Sequence, residues 1–143
     1  MFVNRRHVTI EWGDCDPAGI VFYPRYFAMF DAGTAALFAA ALGYGKAEML
    51  RRFGIVGFPM VETSAQFLVP SRFGDEVVIE SAVSTFGGSS FAITHRLLRG
   101  ETLAVTCAEK RVWVGRHPGD PERLKGLPLP EEVRTRLSTP SET

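Results

Sequence analysis

An α+β fold, an antiparallel sheet wrapped around one long central helix, is predicted by three features of this sequence. The stretch Pro24–Leu42 repeats apolar residues at helical spacing and is rich in Ala and Phe over most of its circumference. That pattern suits a helix buried on several sides. From Met60 the apolar period changes to two and holds through long segments joined by short Gly-containing turns. A lone alternating segment precedes the helix. One buried helix cannot cover its own apolar surface, so the sheet has to curve around it. The open edge of such a sheet calls for a second copy. A homodimer is the smallest assembly expected, and a tetramer of paired dimers the next.

The elements follow in order. His7–Trp12 alternates, with Val8, Ile10 and Trp12 on one face, and reads as a half-buried strand. Gly13–Gly19 combines Gly, Asp and Pro densely enough to be a loop. Pro24 suits the first turn of a helix, where its missing N–H is not needed. Phe27, Phe30, Thr34, Leu37, Phe38 and Ala41 then recur at spacings of three and four until Gly43 stops the run. Lys46–Phe53 predicts a short second helix, ended by Gly54. Met60–Val69 sets Val61, Thr63, Ala65, Phe67 and Val69 on one face of a strand. Beyond the Pro70–Asp75 turn, Glu76–Phe86, Ser90–Arg99 and Leu103–Val114 form a meander with turns at Gly87-Gly88-Ser89 and Gly100-Glu101. The segment from Gly115 is rich in Pro and charge. Within it, Pro130–Leu137 predicts a helix that is acidic at its start and basic at its end. The organisation is a single domain over residues 1–137, with 138–143 read as a disordered tail.

Composition narrows the function classes. A chain of 143 residues can bury roughly 68–70% of its unfolded surface without disulfide or metal staples. Sixteen basic and sixteen acidic side chains cancel, so the basic excess of a nucleic-acid binder is missing. The mostly apolar stretch Ile20–Leu42 is interrupted by Pro24, Arg25 and Asp31, which argues against a membrane span. Cys15 and Cys107 lie far apart, and His7, His95 and His117 lack ligand spacing, so no metal is expected. No apolar signal core follows Met1, and the expected compartment is the reducing cytoplasm.

Chemistry concentrates in Asp14-Cys15-Asp16-Pro17-Ala18-Gly19-Ile20-Val21-Phe22-Tyr23-Pro24. Two carboxylates occupy a loop whose far end becomes the N-terminus of the central helix, where backbone N–H groups lack intrahelical partners. Such groups can polarise a carbonyl, and a facing carboxylate can attack it or activate water, which together make acyl transfer. On composition alone, Asp14 and Asp16 could equally cap backbone groups in Asx-turns. No His lies near Cys15 in sequence, and Ser89-Ser90 lacks a nucleophile elbow.

This motif, followed by Tyr26 and Asp31, closely resembles the 4-hydroxybenzoyl-CoA thioesterase family of hotdog-fold enzymes. Gly54-Ile-Val-Gly57, Pro59 and the Arg111-Val112 pair are also similar, and the likeness runs from the first strand through Val114. The resemblance implies hydrolysis of an acyl-CoA to free acid and CoA, with no cofactor beyond the CoA of the substrate. It makes Asp16 the catalytic carboxylate, as nucleophile or general base, and the Tyr23 N–H the polarising donor. Asp31 would accept a hydrogen bond from a phenolic hydroxyl, and Phe22, Phe27 and Phe30 would wall the acyl group. Asp31 shares a largely apolar helical face, so the bland alternative is a buried carboxylate tied to a strand hydroxyl. The family's well-known member carries basic residues in the turn between the second and third long strands, where this chain has Gly87-Gly88-Ser89-Ser90. Backbone N–H groups of Gly88 and Ser89, with Arg123 and Lys125, are the CoA-binding candidates, and Arg72 and Arg116 are further cations. The leading reading is 4-hydroxybenzoyl-CoA or a related aromatic acyl-CoA as substrate. The alternatives are a broad short- to medium-chain thioesterase and a non-catalytic acyl-CoA binding module.

Overall fold

A computed structural model describes residues 1–141. Five strands form one antiparallel sheet: β1 (Asn4–Thr9), β2 (Met60–Phe67), β3 (Glu76–Phe86), β4 (Ser90–Arg99) and β5 (Thr102–Val112), in the spatial order β1-β3-β4-β5-β2. The meander β3-β4-β5 forms as its alternation predicts. β2, although it comes first, pairs with the far side of β5, Phe67 opposite Val105 and Met60 opposite Arg111. The central helix α1 (Tyr23–Leu42) lies across the concave face, and α2 (Lys46–Phe53) follows it. Both end at Gly43 and Gly54 in the left-handed conformation. At 20 residues, α1 is about 30 Å long.

The chain beyond β5 is more ordered than its composition suggests. Val114–His117 (β6) and Asp120–Gly126 (β7) form a hairpin, a pairing hidden by its Pro and charge content. The last helix, α3 (Glu131–Ser138), inserts Val133 and Leu137 into the core. Ser138, expected in the tail, is helical, and residues 142–143 of that tail lie outside the described residues.

Two strand expectations need correction. β1 ends at Thr9, and Trp12 begins a 3₁₀ turn through Asp14 that leaves its ring 76% exposed, edge-on to Phe73. The cause is local: the Asp14 carboxylate accepts the Glu11 N–H at 2.9 Å, and the Asp14 N–H donates to the Glu11 carbonyl. These bonds coil the chain just where alternation would have continued. β2 stops at Phe67 and is exposed along nearly its whole length. As an edge strand it has a neighbour on one side only, and Val61 and Phe67 stand in the open.

The core is split into two apolar clusters. One surrounds the C-terminal half of α1, with Leu37, Phe38, Phe91, Ile93, Trp113 and Leu137. The other surrounds the N-terminal half, with Tyr26, Phe30, Ile79, Leu97, Val105 and Cys107. Between them on their own elements sit Thr34, Ser81, His95 and Glu109, all buried. A polar seam therefore crosses the middle of the molecule.

Candidate active site

The motif loop folds as a miniature hairpin. Cys15 and Val21 form an antiparallel bridge, the Phe22 N–H donates to the Asp14 carbonyl at 2.8 Å, and the Asp16 N–H donates to the Ile20 carbonyl at 3.0 Å. Side chains alternate across this unit. Cys15 and Val21 pack against the inner cluster, and the Cys15 thiol donates to the Glu11 carbonyl at 3.7 Å. Asp16 lies on the opposite side. Gly19 closes the turn at φ +81°, a conformation that side chains rarely adopt. The unit is fastened to the β2–β3 connection by the Val21 N–H on the Ser71 carbonyl and by an Ile20–Arg72 bridge.

The two aspartates have separate duties. Asp14 caps the 3₁₀ turn. One Asp16 oxygen, Oδ1, accepts the Ala18 N–H at 2.8 Å, so the Asx-turn is real. Asp16 Oδ2 has no hydrogen bond among the described residues. The Asx-turn fixes the carboxylate through Oδ1 and leaves Oδ2 without a partner among the described residues.

The hairpin leads directly into α1, with Phe22 as N-cap. Pro24 has no N–H, and the Arg25 N–H is taken by the Phe22 carbonyl at 2.8 Å. The Tyr23 N–H has no partner among the described residues, so Pro24 and Arg25 together concentrate the helix's positive end there. Beside it is an apolar hollow of about 520 Å³ lined by Ile20, Val21, Tyr23, Tyr26, Phe67 and Val69. Phe67 anchors its wall, 6.1 Å from Tyr23, 5.7 Å from Tyr26 and 6.2 Å from Phe27, ring to ring. Phe67 and Val69, assigned to a strand face from the sequence, thus belong to the pocket. Phe22 is exposed and Phe27 half-buried at the same rim. Phe30 is fully buried and stacks on His95 at 5.0 Å, so it is core and not pocket wall.

Asp31 departs from its expected burial. Its side chain is 68% exposed and pairs with Arg111, Nη2 to Oδ1 at 2.8 Å. No strand hydroxyl among the described residues holds it; the buried carboxylate tied to a hydroxyl is Glu109 on β5, which accepts from Thr34 Oγ1 of α1 at 2.7 Å. The face carrying Tyr23, Phe27 and Asp31 turns toward the open β2 edge rather than under the sheet. Burial pushes the Glu109 carboxyl up, but hydrogen bonds from His95 and Arg111 outweigh it and hold the group below the usual range. Burial would likewise lower Arg111, yet its bonds to Glu109 and Asp31 keep its guanidinium firmly charged. Sequence reasoning singled out Arg111 only through the family likeness and missed Glu109 and His95. Their signal was a charged or titratable residue at an inward, period-two position: His95 follows Phe91 and Ile93, and Glu109 follows Val105 and Cys107.

The CoA candidates gather elsewhere. The Gly87-Gly88-Ser89 turn is clamped through its carbonyls: Arg134 and the Leu129 N–H donate to Gly88, and the Trp113 N–H donates to Ser89 at 2.7 Å. Gly126 abuts Ser89, where a side chain would meet the hydroxyl at 2.9 Å, so β7 and its neighbour Lys125 lie against the turn. Arg123 is exposed on the same strand. The turn and Asp16 lie at opposite ends of β3, whose 11 residues span about 36 Å. Within one protomer, the four candidates do not join Asp16.

A carboxylate, a helix-end N–H and an apolar hollow on a curved sheet define a class, the hotdog-fold thioester hydrolases. Residues 10–137 match the thioesterase-like superfamily, and the chain belongs to that family. It is 33% identical over 129 residues to the 4-hydroxybenzoyl-CoA thioesterase of Pseudomonas sp. (strain CBS-3), covering 86% of this chain and 89% of the relative. The structure of a variant of 4-hydroxybenzoyl CoA thioesterase complexed with 4-hydroxybenzoyl CoA superposes with a TM-score of 0.85 at 30% identity, over 95% of this chain and 99% of that one. A gentisyl-coenzyme A thioesterase superposes at 0.78 with 32% identity, over 95% and 100%.

Proposed function

We propose that this protein hydrolyses a hydroxylated aromatic acyl-CoA, 4-hydroxybenzoyl-CoA or a close relative, to the free acid and CoA. The observation that carries the reading is the joining of Asp16 to the Tyr23 N–H through one short hairpin beside the apolar hollow. The Tyr23 N–H receives the thioester carbonyl oxygen and stabilises charge developing there. Asp16 Oδ2 attacks the carbonyl carbon, the C–S bond breaks, and the CoA thiolate leaves and takes a proton from water. The mixed anhydride is opened by water to acid and carboxylate. Direct attack is favoured over general-base catalysis because Asp16 Oδ2 is free of partners among the described residues while Oδ1 is held by the Ala18 N–H.

The acyl end supports an aromatic substrate. Tyr23 to Asp31 is eight residues, or about 12 Å of helix, the size of a para-substituted benzoyl group with a hydrogen bond at each end. Asp31 keeps Oδ2 free of partners among the described residues and can accept a phenolic hydroxyl. Three relatives at 30% identity or more are named for 4-hydroxybenzoyl or gentisyl thioesters, both hydroxylated arenes.

The working unit is a homodimer in this proposal. The bare β2 edge, with Met60, Val61 and Phe67 exposed, suits antiparallel pairing with the same strand of a second copy. A two-fold axis there lays opposite ends of the two sheets side by side. That arrangement offers Gly88, Ser89, Arg123 and Lys125 of one copy to the CoA bound at Asp16 of the other, and pairs of dimers can build the tetramer.

CoA release over a panel of benzoyl, hydroxybenzoyl, phenylacetyl and aliphatic thioesters tests the substrate. Hydroxylated benzoyl thioesters should give the highest kcat/KM. Equal rates across the panel would replace this reading with a broad thioesterase, and binding without CoA release would replace it with a binding module.

A further inference from the structure

We propose that Arg111 is a positioning residue for substrate selection, held rigid by a buried hydrogen-bonded chain so that it presents the Asp31 carboxylate to the acyl group's hydroxyl. The inference rests on the reading of Asp31 as the phenol acceptor.

The chain runs through four elements. Ser81 Oγ on β3 meets His95 Nδ1 on β4 at 2.7 Å, and His95 Nε2 meets Glu109 Oε2 on β5 at 3.2 Å. Glu109 Oε1 receives Thr34 Oγ1 from α1 at 2.7 Å and Arg111 Nε at 2.9 Å. Arg111 Nη1 donates to the Phe58 carbonyl at 3.3 Å, and its Nη2 reaches Asp31. An ionised Glu109 can only accept, so His95 Nε2 carries a proton toward it, and the Ser81 hydroxyl partners Nδ1 on the other side of the ring.

Burial separates this ion pair from an ordinary surface one. An exposed Arg–Asp pair gives little, because both long side chains must be ordered to make it. Here the Arg111 side chain is 6% exposed and the Glu109 side chain 1%, so the guanidinium is already ordered when the protein folds. Only Asp31 remains to be placed, and the fixed guanidinium places it through Oδ1. The acceptor is therefore set before substrate arrives, and less ordering is left to oppose binding. The arrangement also accounts for a costly feature: a polar seam between two apolar clusters is hard to justify by stability, since buried ion pairs seldom outdo well-packed apolar side chains.

The test is the ratio of kcat/KM for 4-hydroxybenzoyl-CoA to that for benzoyl-CoA, measured for wild type, Arg111→Gln, Asp31→Ala and the double variant. The ratio should fall about tenfold in Arg111→Gln, and the second substitution should add nothing to it in the Asp31→Ala background. A merely structural role lowers both substrates by one factor and leaves the ratio intact, which would overturn the proposal. So would additive losses in the double variant. A wild-type ratio near one would instead remove the phenol-acceptor reading, and this inference with it. Arg111→Lys keeps the charge without the planar fork and carries the same test should Arg111→Gln fail to fold; the ratio should fall there too.

Discussion

The motif hairpin and the seam beneath Asp31 meet along the same helix and are built by opposite means. The hairpin is held mainly by backbone bonds between residues a few positions apart: Asp16 to Ile20, Phe22 to Asp14, Gly19 to Asp16. Of its residues Asp14–Phe22 only Val21 is buried. The seam is held by side chains from α1, β3, β4 and β5, separated by 14 residues from Ser81 to His95 and by 80 from Asp31 to Arg111. Its members other than Asp31 are buried. The contrast teaches a division of labour. A reactive carboxylate needs access and one fixed orientation, which a short hairpin supplies at small cost. A selective acceptor needs rigidity over a longer reach, which only packed elements supply.

That division can be broken by substitution. Glu109→Ala takes away Arg111's buried partner, leaving it the exposed Asp31, and should cost about 3–5 kcal/mol in urea unfolding. A loss below 1 kcal/mol would show that the seam is not under load. Glu109 also links stability to pH. Its folded carboxyl titrates below its ordinary 4.5, so its contribution is present above that value and is lost as pH falls through the lower folded one. Glu109→Gln should flatten this acid limb of the stability profile.

Gly33→Ala should cost less, about 1–3 kcal/mol. The added Cβ would lie 3.2 Å from Ser81 Oγ, 3.4 Å from Ile79 and 3.5 Å from His95, so the Ser81 hydroxyl that bonds His95 would have to give by a few tenths of an ångström. Gly19→Ala should be the mildest for stability, about 1 kcal/mol, because only its left-handed φ opposes the change and the nearest atom to an added Cβ, Arg72 Nη1, is 3.9 Å away. Its larger effect should be on kcat, since it distorts the turn that holds Asp16. If Gly19→Ala destabilised the fold as much as Glu109→Ala, the contrast between the regions would fail.

The same difference governs how much could be read from sequence. The motif loop and the start of α1 are encoded by adjacent residues and were legible, whereas the roles given to Asp16 and Tyr23 came from the family likeness. Also legible were α1, α2 and the β3-β4-β5 meander, whose periodicity is continuous. Trp12 was misplaced because a carboxylate three residues from Glu11 overrode alternation. The β6–β7 hairpin was hidden by Pro and charge at positions that face solvent. Asp31 could be placed on a helical face, but its Arg111 partner is 80 residues away and no local pattern joins them. His95 and Glu109 carried a legible signal, polar residues at inward positions, whose meaning depends on which strands become neighbours.

The central claim is that Asp16 performs the chemistry while the Asp31 end selects. It is tested most directly by following CoA release from 4-hydroxybenzoyl-CoA and benzoyl-CoA with Asp16→Ala. The account predicts that kcat falls by about 10²–10⁴ on both substrates while KM moves little. A variant that keeps about a tenth of wild-type turnover, or that loses turnover on one substrate only, would contradict it.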